Sequence, residues 1–189
     1  MIGIGTIANT GAVIAGGIFG IVCKKGLTQR FQDTIMQAIG LAVMFIGIAG
    51  ALEKMLSIDG TVLSSGGAML CAISLAAGAV WGEWMNIEKR LGVFGDWLRK
   101  RAGREKDSMF IDGFVMTTLT ICVGAMAVIG PLQDGLAGDP SMLFTKAILD
   151  GIIVAIFSAA FGVGAIFSAI PLFLFQGSIT LLARGIQAF

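Results

Sequence analysis

Residues 151 to 183 read GIIVAIFSAAFGVGAIFSAIPLFLFQGSITLLA, 33 positions in a row without a charged side chain. The hydrocarbon core of a bilayer is about 30 Å thick, which takes about 20 apolar residues at a rise of about 1.5 Å each. The run is therefore too long for one span. Its Pro171 predicts two helices meeting at a tight turn, or one long helix broken there. Outward from it, uncharged stretches also cover 1 to 23, 34 to 52, 60 to 82 and 113 to 133. Together they predict about six spans, at about 2 to 23, 34 to 53, 61 to 84, 110 to 131, 143 to 169 and 172 to 188. The fold expected is all-α: a polytopic transmembrane helix bundle forming a single domain over residues 1 to 189.

Composition agrees. Of 189 residues 56% are hydrophobic and 13% charged, with a mean hydropathy of +0.91, far from a soluble domain of this size. No basic region precedes the first apolar run and further apolar segments follow it, so that run is read as a span and not as a cleaved signal. Cys23, Cys71 and Cys122 sit apart, in or beside separate apolar segments, without metal-ligand spacing, and are read as small packing residues.

Ten of the thirteen Lys and Arg residues fall in two loops: Lys24, Lys25 and Arg30 after the first segment, and Lys89, Arg90, Arg99, Lys100, Arg101, Arg104 and Lys106 after the third. The positive-inside rule makes both loops cytoplasmic and puts the N-terminus outside. Within the second loop, Ile87, Leu91, Phe94, Trp97 and Leu98 recur at three- and four-residue spacing. That predicts an amphipathic helix over about 86 to 107 on the inner leaflet, its basic Arg99, Lys100, Arg101 and Arg104 facing anionic lipid. A solvated continuation of the third span is the simpler alternative. Trp81 and Trp84 suit the membrane boundary in both readings.

Ala15-Gly-Gly-Ile-Phe-Gly20 aligns with Ala77-Gly-Ala-Val-Trp-Gly82 at an offset of 62, and at an offset of 80 Met36, Gly50 and Leu52 fall on Met116, Gly130 and Leu132. These matches would fit a parallel repeat of helical hairpins, although small apolar alphabets also produce them by chance. Gly16 with Gly20, and Gly78 with Gly82, are GxxxG pairs, helix-packing signals that let another backbone approach.

The block from Cys122 to Leu136, Gly138-Asp139, Lys146 with Leu149-Asp150-Gly151, Asp33-Thr-Ile-Met-Gln37 with Gly40-Leu41, and Gln176-Gly177 resemble the YqgA/YdfK-type family of bacterial membrane proteins over nearly the whole chain. The resemblance to this uncharacterised family implies a bacterial membrane protein of similar size and hydrophobicity, with no more than a transport role; together with the spans and basic loops, the location expected is the bacterial cytoplasmic (inner) membrane, multi-pass. Family members usually continue through a further glycine-rich apolar region, so an additional terminal helix is expected in them.

Enzymology finds little support. There is no His, no Tyr, no paired-cysteine metal motif, no G-x-S-x-G and no Walker-type loop; no catalytic residue, cofactor, metal or nucleic-acid partner is expected. Polar groups inside lipid are costly, about 2.5–3.5 kcal/mol for a central charge, so each needs a reason. Asp150 lies four positions after Lys146 on one helix face. It is expected to bind a cation or proton, or else to form an ion pair near the outer interface with Lys146 snorkelling to water. Gln133, Asp134 and Asp139 are placed in an outer loop, as an acidic mouth or as turn residues. Asp112 and Asp33 are read as carboxylates at helix starts. Asn9 and Gln176, neutral amides in apolar surroundings, either coordinate a substrate or hydrogen-bond across helices. Thr117, Thr118 and Thr120 give a weak signal, since threonine often bonds back to its own helix.

The expectation is a membrane transporter or channel for a monovalent cation, proton or small solute, in which Asp150, Lys146, Asn9 and Gln176 line the path and Gln133 and Asp134 its entry. The alternative is a membrane scaffold that binds partners or anionic lipid. A homo-oligomer is compatible with so little mass outside the bilayer.

Overall fold

The chain is described by a computed structural model covering residues 3 to 24, 28 to 59 and 62 to 187. Ile2, Lys25 and Ala188, which belong to the expected first span, first basic loop and last span, lie outside the described residues, as does the Met36 side chain.

Among the described residues eight α-helices follow one another: α1 (Ile4–Val22), α2 (Gln29–Met55), α3 (Ala68–Met85), α4 (Ile87–Arg101), α5 (Phe110–Cys122), α6 (Ala125–Ala137), α7 (Ser141–Phe161) and α8 (Ala169–Gln187). A 3-10 helix over Val163–Ser168 leads into α8. A short antiparallel hairpin lies between α2 and α3, β1 (Leu56–Asp59) with β2 (Val62–Ser65), pairing Leu56 with Ser65. Helix α2 starts before the expected span, and its apolar part, Gly40–Leu52, is short. Asp33 therefore lies one turn inside α2 instead of at its start, whereas Asp112 stands in the first turn of α5.

Among the described residues four helical stretches are long and apolar enough to cross a membrane: Ile4–Val22, Ala68–Met85, Ser141–Phe161 and Val163–Gln187. The α5–α6 pair makes a fifth if its 59° bend is counted as one broken span. Two boundaries differ from expectation. The long apolar run breaks at Gly162 and not at Pro171. Gly162 has φ 86° and ψ −153°, a conformation open to glycine and strained for other residues. Pro171 falls in the first turn of α8, where its missing N–H costs least. The fourth segment is two short helices joined through extended backbone at Val123 and Gly124, and the second of them contains Gln133 and Asp134, which are thus helical and not in a loop. The turn lies further on, at Gly138 (φ 65°) to Pro140.

The core is built on close helix pairs. A Cβ at Gly16 would collide with the Gly151 carbonyl, and one at Gly20 with the Ala155 carbonyl, so α1 and α7 meet backbone to backbone. Gly135 of α6 lies against α8, where a Cβ would come within 2.6 Å of the Ala183 methyl. Around these contacts Val13, Ile121, Val154, Ile156 and Leu172 form one apolar cluster, and Leu98, Phe110, Phe114 and Val115 a second one that ties α4 to α5. Helix α3 has no buried residue, and a Cβ at Gly78 or Gly82 would meet open space. The two glycine pairs matched by the internal alignment therefore have unlike surroundings.

Helix α4 is separate from α3. Asn86 takes the left-handed conformation (φ 45°, ψ 58°) between them, and its side-chain oxygen accepts from the Lys89 amide, capping the new helix. The apolar residues of α4 divide: Gly95 and Leu98 are buried and Leu91 and Phe94 half-buried against α5, while Ile87, Val93 and Trp97 stay exposed.

Candidate functional site

Three apolar helices each carry polar residues one turn apart. These are Thr6 and Asn9 on α1, Lys146 and Asp150 on α7, and Gln176 and Thr180 on α8; spacings of three or four keep each pair on one helix face. The glycine contacts that bring α1 onto α7 turn these faces toward each other. Asn9 and Gln176 are fully buried, and Asp150 and Lys146 are only 4% and 5% exposed. The Asn9 amide group donates to Asp150 Oδ2 at 3.0 Å and to Gln176 Oε1 at 3.1 Å. Thr6 and Thr180 hydroxyls lie 3.4 Å apart, one turn away.

Lys146 turns inward. Its Nζ donates to Asp150 Oδ2 and, at 2.7 Å, to the carbonyl oxygen of Ile121. The break after Cys122 leaves the last carbonyls of α5 without helical donors, and these carry the partial negative charge of the helix end. An ammonium there satisfies a carbonyl and pairs a carboxylate at once. With α7 rising about 1.5 Å per residue, Asp150 stands about 13 Å from its first residue, near the middle of the helix.

Asp134 plays the converse part at the other terminus. It is fully buried, and its Oδ2 accepts from the amides of Gly3 (3.2 Å) and Gly5 (3.3 Å), where the start of α1 is partially positive. Buried charges in a low-dielectric interior need such partners. Several buried polar atoms are nevertheless unmatched: Asn9 Oδ1, Gln176 Nε2, Asp134 Oδ1 and the hydroxyls of Thr117, Thr118 and Ser158.

The expected residues thus separate into groups. Asp150, Lys146, Asn9 and Gln176 come together. Asp134 is drawn to the start of α1, and Gln133 is exposed on α6. Asp139 stands at the α6–α7 turn, bonded by the Ser141 hydroxyl and amide; the Ser141 hydroxyl holds its carboxyl below the usual carboxylate range. Of the basic residues of α4, Arg99 and Lys100 bind Asp96 at 2.6 and 2.8 Å. Lys100 above all, with Arg99, keeps the Asp96 carboxyl ionised to lower pH than an isolated one. Arg101 and Arg104 are exposed. The Ile121 carbonyl, Thr6 and Thr180 were missed in the sequence. The threonines carried a usable signal, being three or four positions from Asn9 and Gln176; the carbonyl carried none.

Several apolar helices long enough to cross a bilayer, enclosing a paired charge and two amides, define a multi-pass integral membrane protein. The chain belongs to the family described as "Protein of unknown function (DUF554)", which matches residues 4–189. It is 33% identical over 184 residues to the "Uncharacterized membrane protein YdfK" of Bacillus subtilis, covering 97% of this chain and 74% of that protein. It is also 27% identical over 177 residues to the "Uncharacterized protein YqgA" of Escherichia coli, covering 92% and 71%. No solved structure matches significantly.

Proposed function

We propose that the protein transports or conducts a small ion or solute, with Asp150 as the central charge, Lys146, Asn9 and Gln176 around it, and Gln133 and Asp134 on the side of entry. One observation carries this reading: a buried carboxylate shares its site with two amides that each keep an unmatched polar atom. Purely structural interhelical bonding would leave neither exposed to such a penalty. The interrupted α5–α6 helix beside it resembles the broken helices that line transporter sites, where a half-helix end faces the cargo. With Asp150 nearly inaccessible, the conformation is an occluded one, and passage needs the helices to part.

On this reading the protein works without catalysis, cofactor or nucleic acid, in the bacterial inner membrane, with its N-terminus outside and its basic loops in the cytoplasm. The experiment is flux into liposomes carrying the purified protein, tested for monovalent cations, protons and small neutral solutes. A flux that Asp150→Asn abolishes is expected; no flux for any of them, with Asp150→Asn behaving as wild type in stability, removes the proposal.

A second reading is favoured by α3, whose whole surface is unburied although it has the length and hydropathy of a span. It makes the protein a membrane scaffold, self-associating or binding partners through Gly78 and Gly82 and binding anionic lipid through Arg101 and Arg104. Cross-linking between cysteines placed on α3 separates this reading from a lipid-facing helix.

A further inference from the structure

The Asp150 site has more oxygen than its ammonium uses. Asp150 Oδ2 and the Ile121 carbonyl hold Lys146 Nζ, Gln176 Oε1 accepts from Asn9, and Asn9 Oδ1, on a side chain with no exposed surface, has no donor at all. The Asn9 amide presents its nitrogen to Asp150 and Gln176, so Oδ1 becomes a ligand there only when the amide makes a half-turn about its Cβ–Cγ bond, exchanging the two atoms. A carboxylate oxygen, a main-chain carbonyl and side-chain amide oxygens are the donor set of hard cations. Thus the position taken by the lysine ammonium is one that a metal cation could take.

We propose that Lys146 is the resident, tethered counter-cation of a monovalent metal-cation site made by Asp150, the Ile121 carbonyl and Asn9 Oδ1. Cargo and ammonium compete for it. The inference rests on the transport reading and names its cargo as an alkali cation.

Charge selects the valence. With the ammonium in place the pair is neutral; with the ammonium displaced, one negative charge remains, which a monovalent ion cancels. A divalent ion would leave a net positive charge buried among apolar helices, at the cost such charges carry. Among the described residues no group of three Asp, Glu, His or Cys side chains gathers to hold such an ion. The ammonium has a destination. Side chains on a helix lean toward its N-terminus, which for Lys146 is the α6–α7 turn with Asp139 and Ser141, and lysine stems pass along apolar surface to keep the charged head in water. Each exchange leaves the charge of the site unchanged: one cation enters as one leaves.

The test is equilibrium binding of radiolabelled sodium and rubidium to the full chain in lipid nanodiscs. Lys146→Met removes the competitor, and binding of one of the two ions should tighten by more than about tenfold, with calcium failing to displace it. Adding Asp150→Asn to that variant should abolish the binding. Unchanged affinity in Lys146→Met, binding that survives the second substitution, or preference for calcium overturns the proposal. Should Lys146→Met not purify as a folded protein, Asn9→Asp decides. It keeps the lysine and adds the charge needed to hold ammonium and metal together, so affinity should again rise by more than about tenfold, and an unchanged affinity overturns the proposal. Flux in liposomes reports separately. Flux without any cation competition sinks this inference and spares the transport reading; competition without flux does the reverse.

Discussion

Asp134 and Lys146 answer two helix ends of opposite sign, and their energetics can be measured apart. Asp134→Ala removes the acceptor of the Gly3 and Gly5 amides. A lost helix cap costs about 0.5–2 kcal/mol, so a lower melting temperature in detergent is expected, with Asp134→Asn losing less because an amide oxygen still accepts. Asp150→Ala leaves the Lys146 ammonium buried with the Ile121 carbonyl as its remaining partner. Removing one partner of a buried pair costs about 3–5 kcal/mol, whereas replacing both by apolar groups is close to neutral. Thermal melts of Asp150→Ala, Lys146→Met and a Lys146→Met/Asp150→Leu double variant check this; a double variant as unstable as Asp150→Ala would mean that the pair is not isolated from water as its burial implies. The i,i+4 spacing made the Lys146–Asp150 pair legible in the sequence, and Asn9 and Gln176 stood out as lone amides in apolar runs. That they share one interior was expected from their cost in lipid alone; the particular bonds among them were not legible, because these depend on the approach of α1 and α8 to α7.

Glycine pairs with the same spacing have opposite consequences in α1 and α3. Gly16→Val or Gly20→Val drives a side chain into a carbonyl of α7; overpacking of a tight contact costs about 1–3 kcal/mol and more where backbone is in the way, so loss of the folded monomer is expected. Gly78→Val and Gly82→Val meet open space and should leave monomer stability unchanged within about 0.5 kcal/mol. Comparing the four melting curves decides it. Helix α4 supplies the pH prediction. The carboxyl of Asp96 titrates below its unfolded value because of Lys100 and Arg99, so its contribution is complete above the ordinary carboxylate pKa of about 4 and is lost as pH falls through the lower folded value. Melting temperature should therefore decline on acidification below about pH 4, and Asp96→Asn should remove a small part of that decline. The pair is surface-exposed, so the part is small. An identical acid slope in wild type and variant would detach the pairing from stability. The bend between α5 and α6 was hidden from sequence reading. Pro131 and the Asp134-Gly135 dipeptide suggest a turn, yet Pro131 lies within α6, and Gly135 is there to admit α8.

A bundle with this much outward-facing apolar surface, including Phe19, Phe173 and Leu181, belongs in a membrane and not in water. Extraction of the expressed chain from membranes should need detergent, and high salt or carbonate should not release it. The amino-acid order settles that much. Hydropathy is a sum over local residues, and a stretch without charge partitions into hydrocarbon whichever neighbours it meets. The helical class, the position of the basic helix and the short list of costly polar side chains follow from the same local property. Which of those side chains meet, where the long runs break and which helices are covered are set by packing between segments far apart in the chain. Asp134 reaches Gly3 across 131 positions and Asn9 reaches Gln176 across 167. Such contacts depend on the close approach of backbones at a few glycines, a geometric condition that periodicity and composition do not encode.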